Sequence, residues 1–306
     1  MSITVNNLSK IYGSQKAVND ISFSINRGEI VGFLGPNGAG KSTTMKIITG
    51  YLQADGGTVK VCGEKVSTHS LSVKKKIGYL PEANPLYLEM YVREYLEFIA
   101  GVHKVSNSSK AIAASIDTVG LSVEANKKIA QLSKGYKQRL GLAASLIHDP
   151  EVLVLDEPTS GLDPNQIVEI RDVIKKLGKD KTILFSSHIL QEVQAVCDRV
   201  IIINKGRIVA DDHLDNLKKA GSNEHLVMVE FKEAVDVSIL KDINGIGKIE
   251  SMESSNNSSN TFRIQTLQPE PVKKQLLELS LKNNLNIVSL QSESNSLEEI
   301  FRKLTS

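Results

Sequence analysis

The sequence predicts an α/β fold with a mostly parallel sheet, followed by a smaller α+β domain. The apolar run Ile30–Leu34 leads into a glycine-rich turn and then a helix. Apolar strands return at Val152–Leu155 and at 182–186, and a helix at about 166–177 separates them. Because a strand, a helix and a second strand in this order favour parallel pairing, we expect one shared sheet. Beyond about residue 212 short strands and helices follow in the order βαββαβ.

The composition is that of an ordinary globular chain. Of its 306 residues, 41% are hydrophobic and 24% are charged, which is enough for one large core or two smaller ones, and the length favours two domains. The formal net charge of +2 is too small to indicate a general affinity for nucleic acid or acidic lipid. Cys62 and Cys197 lie far apart in the sequence, so we expect neither a disulfide framework nor a cysteine-rich metal site, and a reducing compartment fits.

The chain offers no membrane segment of its own. No run approaches ~18 uninterrupted apolar residues, and the first residues lack a basic segment followed by an apolar one. If the protein works at a membrane, we therefore expect another subunit to hold it there.

The elements of the first part follow from the spacing of apolar residues. Strands are predicted at 3–8, 17–25, 29–34, 58–61 and Ile77–Leu80. From about residue 90 to 147 the period becomes helical, as the spacing of Tyr91, Tyr95, Phe98, Ile99, Ile112, Ile116 and Val119 shows. We therefore predict a helical insert between two strand-rich parts, the second of which also contains a strand at 200–203.

The last part predicts a ferredoxin-like domain. In order, we expect a strand at 226–231, a helix at 235–240, strands at 246–252 and 261–266, a helix at 270–282, a strand at 287–290 and a final helix at 296–304. The polar run at 254–260 fits a hairpin turn better than a low-complexity segment because it is short. The order βαββαβ is that of a split βαβ domain.

The glycine-rich turn has the features of a phosphate-binding loop. It consists of Gly35, Pro36, Asn37, Gly38, Ala39, Gly40, Lys41, Ser42 and Thr43. Its glycines allow the backbone to approach phosphate oxygens closely, and the helix that starts at Lys41 points free N–H groups into the loop. The Lys41 ammonium can reach the β- and γ-phosphates, and the Ser42 hydroxyl can ligate Mg²⁺. The alternative is a glycine turn without a ligand.

Two acids at the end of a buried strand complete the requirements of a Mg²⁺-dependent phosphohydrolase. Val152–Leu155 is followed directly by Asp156 and Glu157. Asp156 can hold Mg²⁺ through its water shell, while Glu157, directed differently, can polarise the attacking water. The alternative is a strand that merely ends in surface acids, and the presence of the phosphate-binding loop disfavours it.

Four further motifs resemble those of ATP-binding cassette (ABC) ATPases. Residues 132–139 (LSKGYKQR) resemble the family's signature sequence, and residues 160–163 (SGLD) its D-loop. His188, after a predicted strand, matches the switch histidine, and Tyr12 matches the aromatic residue that stacks on adenine. The resemblance covers about residues 1–215. It implies a P-loop NTPase fold with an antiparallel β subdomain and a helical subdomain at about 84–148, with the accessory domain at 222–306.

The resemblance also implies a dimer. The signature lies at the start of a predicted helix, so that Ser133 and the N–H groups near Gly135 form a second anion site. In the family, this site caps the γ-phosphate that a second, head-to-tail cassette holds. Lys134 and Tyr136 depart from the usual Gly and Gln, which leaves open how tightly the two cassettes close. Taken alone, the motif is also compatible with an ordinary amphipathic helix.

The resemblance also implies roles for three other residues. Tyr12 would stack on adenine, although an edge tyrosine beside a turn is the alternative. His188 would sense the γ-phosphate by a hydrogen bond, the alternative being a histidine in a surface loop. Glu82 occupies the position where most members have a glutamine that ligates Mg²⁺ and communicates with the transmembrane partner. A carboxylate is also a hard oxygen ligand, so our hypothesis is that Glu82 has the same role.

Within the family, residues 81–96 are similar to the ATP-binding subunits of multidrug-type exporters, and most to the subunit associated with gliding motility in surface-gliding bacteria. Residues 296–305 resemble the ending of the same group. These likenesses imply an ATPase that binds ATP and Mg²⁺ as a homodimer, or as a heterodimer with a related cassette. They also imply a polytopic permease partner and a position on the cytoplasmic face of the plasma membrane.

Two other functions are compatible with a cassette of this type. A soluble ABC ATPase of nucleic-acid metabolism or translation would usually show a coiled-coil insert, zinc-binding cysteines or a second cassette, and this chain shows none of them. No nucleic-acid partner is therefore expected. A cassette that regulates without hydrolysis is disfavoured because Lys41, Asp156, Glu157 and His188 are all present.

Overall fold

The computed structural model describes residues 1–221, 225–240, 243–253, 260–294 and 297–305. The chain divides into two compact units, Met1–Leu214 and Asp215–Leu304. Among the described residues, no helix combines the length and the apolar character that crossing a membrane requires.

The first unit alternates strands and helices. In chain order its elements are β1 (Ile3–Tyr12), β2 (Gln15–Ile25), β3 (Ile30–Leu34), α1 (Lys41–Ile48), β4 (Gly56–Val61), β5 (Glu64–Lys65), α2 (Leu71–Lys74), β6 (Ile77–Leu80), α3 (Val92–His103), α4 (Ser108–Thr118), α5 (Lys134–Leu146), β7 (Val152–Leu155), α6 (Pro164–Leu177), β8 (Thr182–Ser187), α7 (Leu190–Val196), β9 (Arg199–Asn204) and β10 (Arg207–His213). Helix α8 (Leu214–Gly221) follows.

The main sheet of this unit is mostly parallel, as predicted. Its strand order is β10-β9-β3-β8-β7-β6, and only β10 runs antiparallel to its neighbour. Residue Leu34 of β3 lies beside Ser187 of β8, and Leu155 of β7 lies beside Phe185 of β8. Because the carboxyl ends of parallel strands meet at one edge, the segments after β3, β7 and β8 converge there.

A second, antiparallel sheet packs on the main sheet. Its order is β2-β1-β4-β5. The two sheets contribute to one apolar core, in which the rings of Phe23 and Phe33 lie 5.7 Å apart. Ile3 and Val5 of β1 are buried while Thr4 between them is only partly buried, which is the alternation expected of a half-covered strand.

Helices α3, α4 and α5 form the predicted helical insert between β6 and β7. Their buried residues recur at helical spacing, as the pairs Leu96 and Ala100 in α3 and Ile112 and Ile116 in α4 illustrate. Helix α5 also packs on β6, where Gly78 leaves room for the backbone of Ser145.

The second unit has the predicted ferredoxin-like order. It contains β11 (His225–Phe231), α9 (Val237–Leu240), β12 (Ile246–Glu253), β13 (Asn260–Thr266), α10 (Pro269–Lys282), β14 (Ile287–Ser294) and α11 (Leu297–Thr305). The sheet is antiparallel with the order β12-β13-β11-β14. Its core includes Phe231, Phe262, Val272 and Leu276. Of the predicted turn at 254–260, residues 254–259 lie outside the described part of the chain, as do Ser296 and residues 222–224 of the predicted accessory domain.

Several boundaries differ from the sequence prediction. Strand β1 continues to Tyr12 instead of ending at Leu8, because it keeps pairing with β2 across local register shifts. Strand β10 was not predicted, since it lies at the sheet edge with no buried residue to give a period. Helix α7 was missed because seven residues are too few to establish a helical period.

Candidate functional site

The phosphate-type loop connects β3 to α1 at the sheet edge. Gly38 and Gly40 adopt φ values of 79° and 109°, which side-chain-bearing residues rarely adopt. A Cβ at Gly40 would lie 2.4 Å from the Ala17 carbonyl oxygen, and one at Gly35 would lie 2.3 Å from that of Ile203. No side chain caps the N-terminus of α1. The loop is therefore held close to neighbouring backbone and presents an uncapped helix end to an anion.

Lys41 is buried at the start of α1 and turns back over the loop. Its Nζ donates to the carbonyl oxygens of Gly35 and Pro36, at 2.8 and 3.3 Å, and lies 3.3 Å from Oε1 of Glu157. A phosphate in the loop would therefore compete with the Glu157 carboxylate for this ammonium group.

Asp156 and Glu157 point in different directions, and Ser186 holds both. The Ser186 hydroxyl donates to Oδ1 of Asp156 at 2.7 Å and accepts from the Glu157 N–H at 2.9 Å. Glu157 has a φ of 48°, in the left-handed region, which turns its side chain away from that of Asp156. Sequence reasoning missed Ser186, although its place in the Ser-Ser-His run that ends β8 is a signal.

His188 contacts the same glutamate. Its Nδ1 lies 2.8 Å from Oε2 of Glu157, while Oε1 of that carboxylate faces Lys41. Glu157 is 5% exposed, whereas the His188 side chain is 41% exposed. The structure thus brings Lys41, Glu157 and His188 together from the ends of three neighbouring strands.

A cleft of about 500 Å³ opens over these groups. It is lined by Tyr12, Gln15, Ala17, Asn37, Gly38, Gly40, Lys41, Ser42, Thr43, Glu82, Glu157, Ser160 and His188. This volume lies within the range typical of cofactor sites. Tyr12 ends β1 with a half-exposed ring, 5.6 Å from Nζ of Lys10, so one face of an aromatic base could stack there. Sequence reasoning did not include Gln15 and Ala17, whose signal is only their closeness to Tyr12, whereas Ser160 belongs to the motif that resembles the D-loop.

The three proposed metal ligands also share one space. Ser42, Glu82 and Asp156 line a neighbouring cavity of about 640 Å³, together with Tyr79. A hydroxyl and two carboxylates are the hard oxygen donors that Mg²⁺ prefers, so this set fits the ion. Burial, and then the negative charge of Asp156, raise the pKa of the Tyr79 phenol well above its usual value. Tyr79 is therefore a neutral neighbour of the carboxylates.

The signature residues are not brought to this cleft. Ser133 precedes α5 and caps it, its hydroxyl accepting from the Tyr136 N–H at 3.3 Å. Gly135 lies against Gln166 of α6, and a Cβ there would come within 2.6 Å of that side chain. Neither Ser133 nor Gly135 lines either of the two cavities. Within one chain, this predicted anion site is thus separate from the loop.

Several known proteins are similar in sequence to this chain over nearly its whole length. The model of the ABC transporter family matches residues 18–160. The bacitracin transport ATP-binding protein BcrA of Bacillus licheniformis is 33% identical, and the match covers 99% of this chain and 96% of that protein. The linearmycin resistance ATP-binding protein LnrL of Bacillus subtilis (strain 168) is 34% identical, with 98% and 96% covered. The Nod factor export ATP-binding protein I of Burkholderia orbicola (strain AU 1054) is 33% identical, with 99% and 96% covered.

Solved structures are similar over about seven tenths of the chain. An ATP-binding subunit of an ABC transporter superposes with a TM-score of 0.65 at 29% identity, covering 72% of this chain and 93% of that one. The ATP-binding cassette MJ0796, solved as a dimer in a post-hydrolysis state bound to ADP and Pi, gives a TM-score of 0.64 at 25% identity, covering 69% and 98%.

Proposed function

Because this chain belongs to the ABC transporter family and is an ATP-binding ATPase of that family, we propose that it drives an exporter. In this proposal, two cassettes close on two MgATP and a separate membrane subunit carries the transported molecule. The observation that carries the proposal is the Glu157 carboxylate, held between the Lys41 ammonium and the His188 ring over an uncapped helix end.

The residues of the cleft account for each part of the hydrolysis. The loop from Gly35 to Thr43 would bind the phosphates through backbone N–H groups and Lys41. Glu157, freed from Lys41 by the phosphates, would orient and polarise the attacking water, and His188 would bind the γ-phosphate beside it. Ser42, Asp156 and Glu82 would hold Mg²⁺, which neutralises charge that develops on the phosphate oxygens.

A dimer would bring the signature residues to the cleft, which a single chain does not do. Ser133 and Gly135 lie apart from the loop, at the start of α5. In a head-to-tail dimer they would face the γ-phosphate that the partner cassette holds, with the start of α5 directed at its charge. The dimeric relative solved with ADP and Pi supports this arrangement. The partner is a second copy of this chain or a related cassette.

The proposed permease would dock beside Glu82. Tyr87 is 53% exposed on the loop after Glu82, and its ring packs edge-on against Tyr95 and Phe98, at 6.1 and 5.8 Å. Exposed aromatic groups fixed by neighbours are common anchors of protein interfaces. The cassette would then lie peripherally on the cytoplasmic face of the membrane. The names of the relatives that transport bacitracin or export Nod factor support export.

Two finer assignments belong to this proposal. The cassette would comprise residues 1–215, with its helical subdomain at about 84–148, and residues 222–306 would form an accessory domain. Gliding motility is a possible use of such an exporter, supported by the likeness of residues 81–96 alone. A role with nucleic acid has no comparable support, because the relatives reported above are transport or resistance proteins.

The first experiment replaces the proposed base. We expect Glu157→Gln to lower ATP turnover by about 100-fold or more, because an amide cannot accept the proton of water. The variant should also accumulate an ATP-bound dimer, seen by size-exclusion chromatography with light scattering. Glu151→Gln is the matched control, since Glu151 is exposed at the other end of the same strand, and turnover should not change. Full turnover in Glu157→Gln would contradict the proposal.

The second experiment identifies the partner. We expect a polytopic membrane protein to co-purify with this chain from native membranes in mild detergent. Recovery of ribosomes or DNA in its place would contradict the exporter function and support the nucleic-acid alternative.

A further inference from the structure

Helix α7 carries a buried carboxylate that the proposed hydrolysis has not used. Glu192 is 3% exposed. Its Oε2 accepts two hydrogen bonds, from the hydroxyls of Thr159 and Ser187, each at 2.7 Å. These donors are themselves 3% and 0% exposed, so water does not compete for the bonds.

The two donors belong to different segments of the site. Thr159 follows Glu157 by two residues and directly precedes Ser160, which lines the cleft. Ser187 directly precedes His188. One oxygen atom of Glu192 therefore joins the segment after β7 to the last residue of β8, immediately beside the contact between Glu157 and His188.

Ser187 extends this connection to the phosphate-type loop. Its hydroxyl accepts from the Ile189 N–H at 3.0 Å, and its backbone carbonyl accepts from the Gly35 N–H at 3.4 Å. A displacement of Ser187 would thus disturb the first residue of the loop as well as His188.

Helix α7 packs on the main sheet, so the backbone of Glu192 is held in a fixed position. Val193 is fully buried, and its side chain occupies the space over Gly32 of β3. Leu190 and Val196, on the same helix, are also buried. A carboxylate on a mobile segment would follow the two hydroxyls, whereas one on a packed helix can hold them.

We infer that Glu192 is a positioning residue for ATP hydrolysis. It holds Thr159 and Ser187 through one carboxylate oxygen and so keeps Glu157 and His188 in fixed positions relative to each other. The inference rests on the proposed roles of Glu157 and His188. Misplacement of reacting groups by about 1 Å costs up to ~100-fold in rate, which gives such a residue a measurable effect without any contact with the substrate.

The test removes one hydroxyl at a time from the full-length protein. Thr159→Val keeps the shape of the side chain and deletes its donor, and we expect kcat to fall by about tenfold with KM for ATP changed less than twofold. Thr159→Ser restores the donor and should recover most of kcat. The matched control is Thr182→Val, because Thr182 is a buried hydroxyl of β8 that bonds Ser2 and Gly28 instead. It should lower the melting temperature and leave kcat within about twofold.

A double-mutant cycle separates positioning from general loss of stability. In the Glu192→Ala protein, Thr159→Val should add less than about a twofold further loss, because its partner is already gone. If the effects on kcat multiply, the two residues act independently and the inference is wrong. If Glu192→Ala does not fold, the same cycle on Thr159→Val and Ser187→Ala decides, with non-additive losses expected.

These variants distinguish a failure of the inference about Glu192 from a failure of the proposed function. If Glu157→Gln retains full turnover, Glu157 is not the base and the proposed function fails. If Glu157→Gln loses turnover as expected while Thr159→Val keeps the wild-type kcat, only the role of Glu192 is overturned.

Discussion

Glu157, the proposed base, is held by several neighbours at once. Its two oxygens face different groups, Lys41 at 3.3 Å and His188 at 2.8 Å, while its backbone N–H donates to Ser186. Asp156, the preceding residue, is held by the same serine but turned elsewhere. Two successive acids thus have different partners, and the backbone of the second is left-handed.

Glu82 lines the same cavity as Ser42 and Asp156, where we propose that it ligates Mg²⁺. If its carboxylate ligates Mg²⁺, Glu82→Gln should retain most of the ATPase activity, because the amide oxygen is also a hard ligand. Glu82→Ala should lower kcat by about tenfold or more and raise the Mg²⁺ concentration needed. Steady-state ATPase assays over a Mg²⁺ titration measure both. Glu89→Ala, exposed on the same loop, is the control. Equal losses from both Glu82 variants would contradict the hypothesis.

The lowered pKa of His148 predicts that stability depends on pH. Its ring stacks on that of His103 with centroids 3.9 Å apart, and its Nε2 lies 3.0 Å from the Ile77 carbonyl oxygen. Burial, and then the nearby His103, lower the pKa of His148 to about 4. Burial also lowers the pKa of His103. Between the ordinary value of about 6.5 and this value the unfolded chain binds more protons, so the free energy of unfolding decreases as pH falls.

We expect His148→Gln to lose less stability than the wild type between pH 7.5 and about 5, since it removes this titration. The glutamine amide can still donate to the Ile77 carbonyl. Urea unfolding at both pH values measures the difference. His69→Gln, at an exposed loop position, should lose as much as the wild type. Equal losses in His148→Gln and His69→Gln would show that the acid sensitivity has another source.

At the scale of elements, the contact between α7 and β3 positions the site. Gly32 lies in the middle of β3, and a Cβ there would come within 2.3 Å of Cγ1 of Val193. The missing side chain lets α7 lie close to the strand that leads into the phosphate-type loop. Close approach of this kind is a recurrent reason for glycine in a strand.

Gly32→Ala should therefore destabilise the protein by about 1–3 kcal/mol through overpacking. It should also lower kcat, because α7 carries Glu192. Val193→Ala should partly relieve the strain, so the double variant should be more stable than the sum of the single effects predicts. Guanidinium unfolding measures stability. The matched control is Gly101→Ala, in α3 with no neighbour within 4 Å, which should stabilise by about 0.5–1 kcal/mol. Equal effects of the two substitutions would contradict this account.

At the scale of the whole molecule, two apolar cores divide the chain. The core of the first unit includes Phe33 and Val154, and that of the second includes Phe231 and Phe262, whose rings lie 6.2 Å apart. Each unit thus buries apolar side chains of its own, which is the usual basis for separate folding units.

Phe262→Ala should weaken the second unit by about 3–5 kcal/mol, because a fully buried ring is replaced by a cavity. Hydrogen exchange followed by mass spectrometry should show faster exchange in β11 and β13 and no change in β3, β7 and β8. ATP turnover should stay within about twofold of the wild type. Equal loss of protection in both units would indicate a single cooperative unit.

Much of the fold and part of the site could be predicted because their signals are local. The loop at 35–43, the acids at 156–157 and the long helix α10 each produce a pattern within a few neighbouring residues. Strand β10 and helix α7 produced none, since one is an edge strand and the other is a single short helix. Ser186 and Glu192 were missed because a serine or a glutamate has no functional signature until its partners are known.

The sequence by itself determined the local motifs of this protein: a glycine-rich loop, two acids and a histidine, each placed after a strand. Only the tertiary structure decided how they meet. Glu157 lies between Lys41 and His188, Glu192 bonds to Thr159, and Ser133 lies away from the loop of its own chain. The physical reason is that these contacts join residues far apart in sequence. Their distances depend on which strands become neighbours in the sheet, and no local pattern encodes that order.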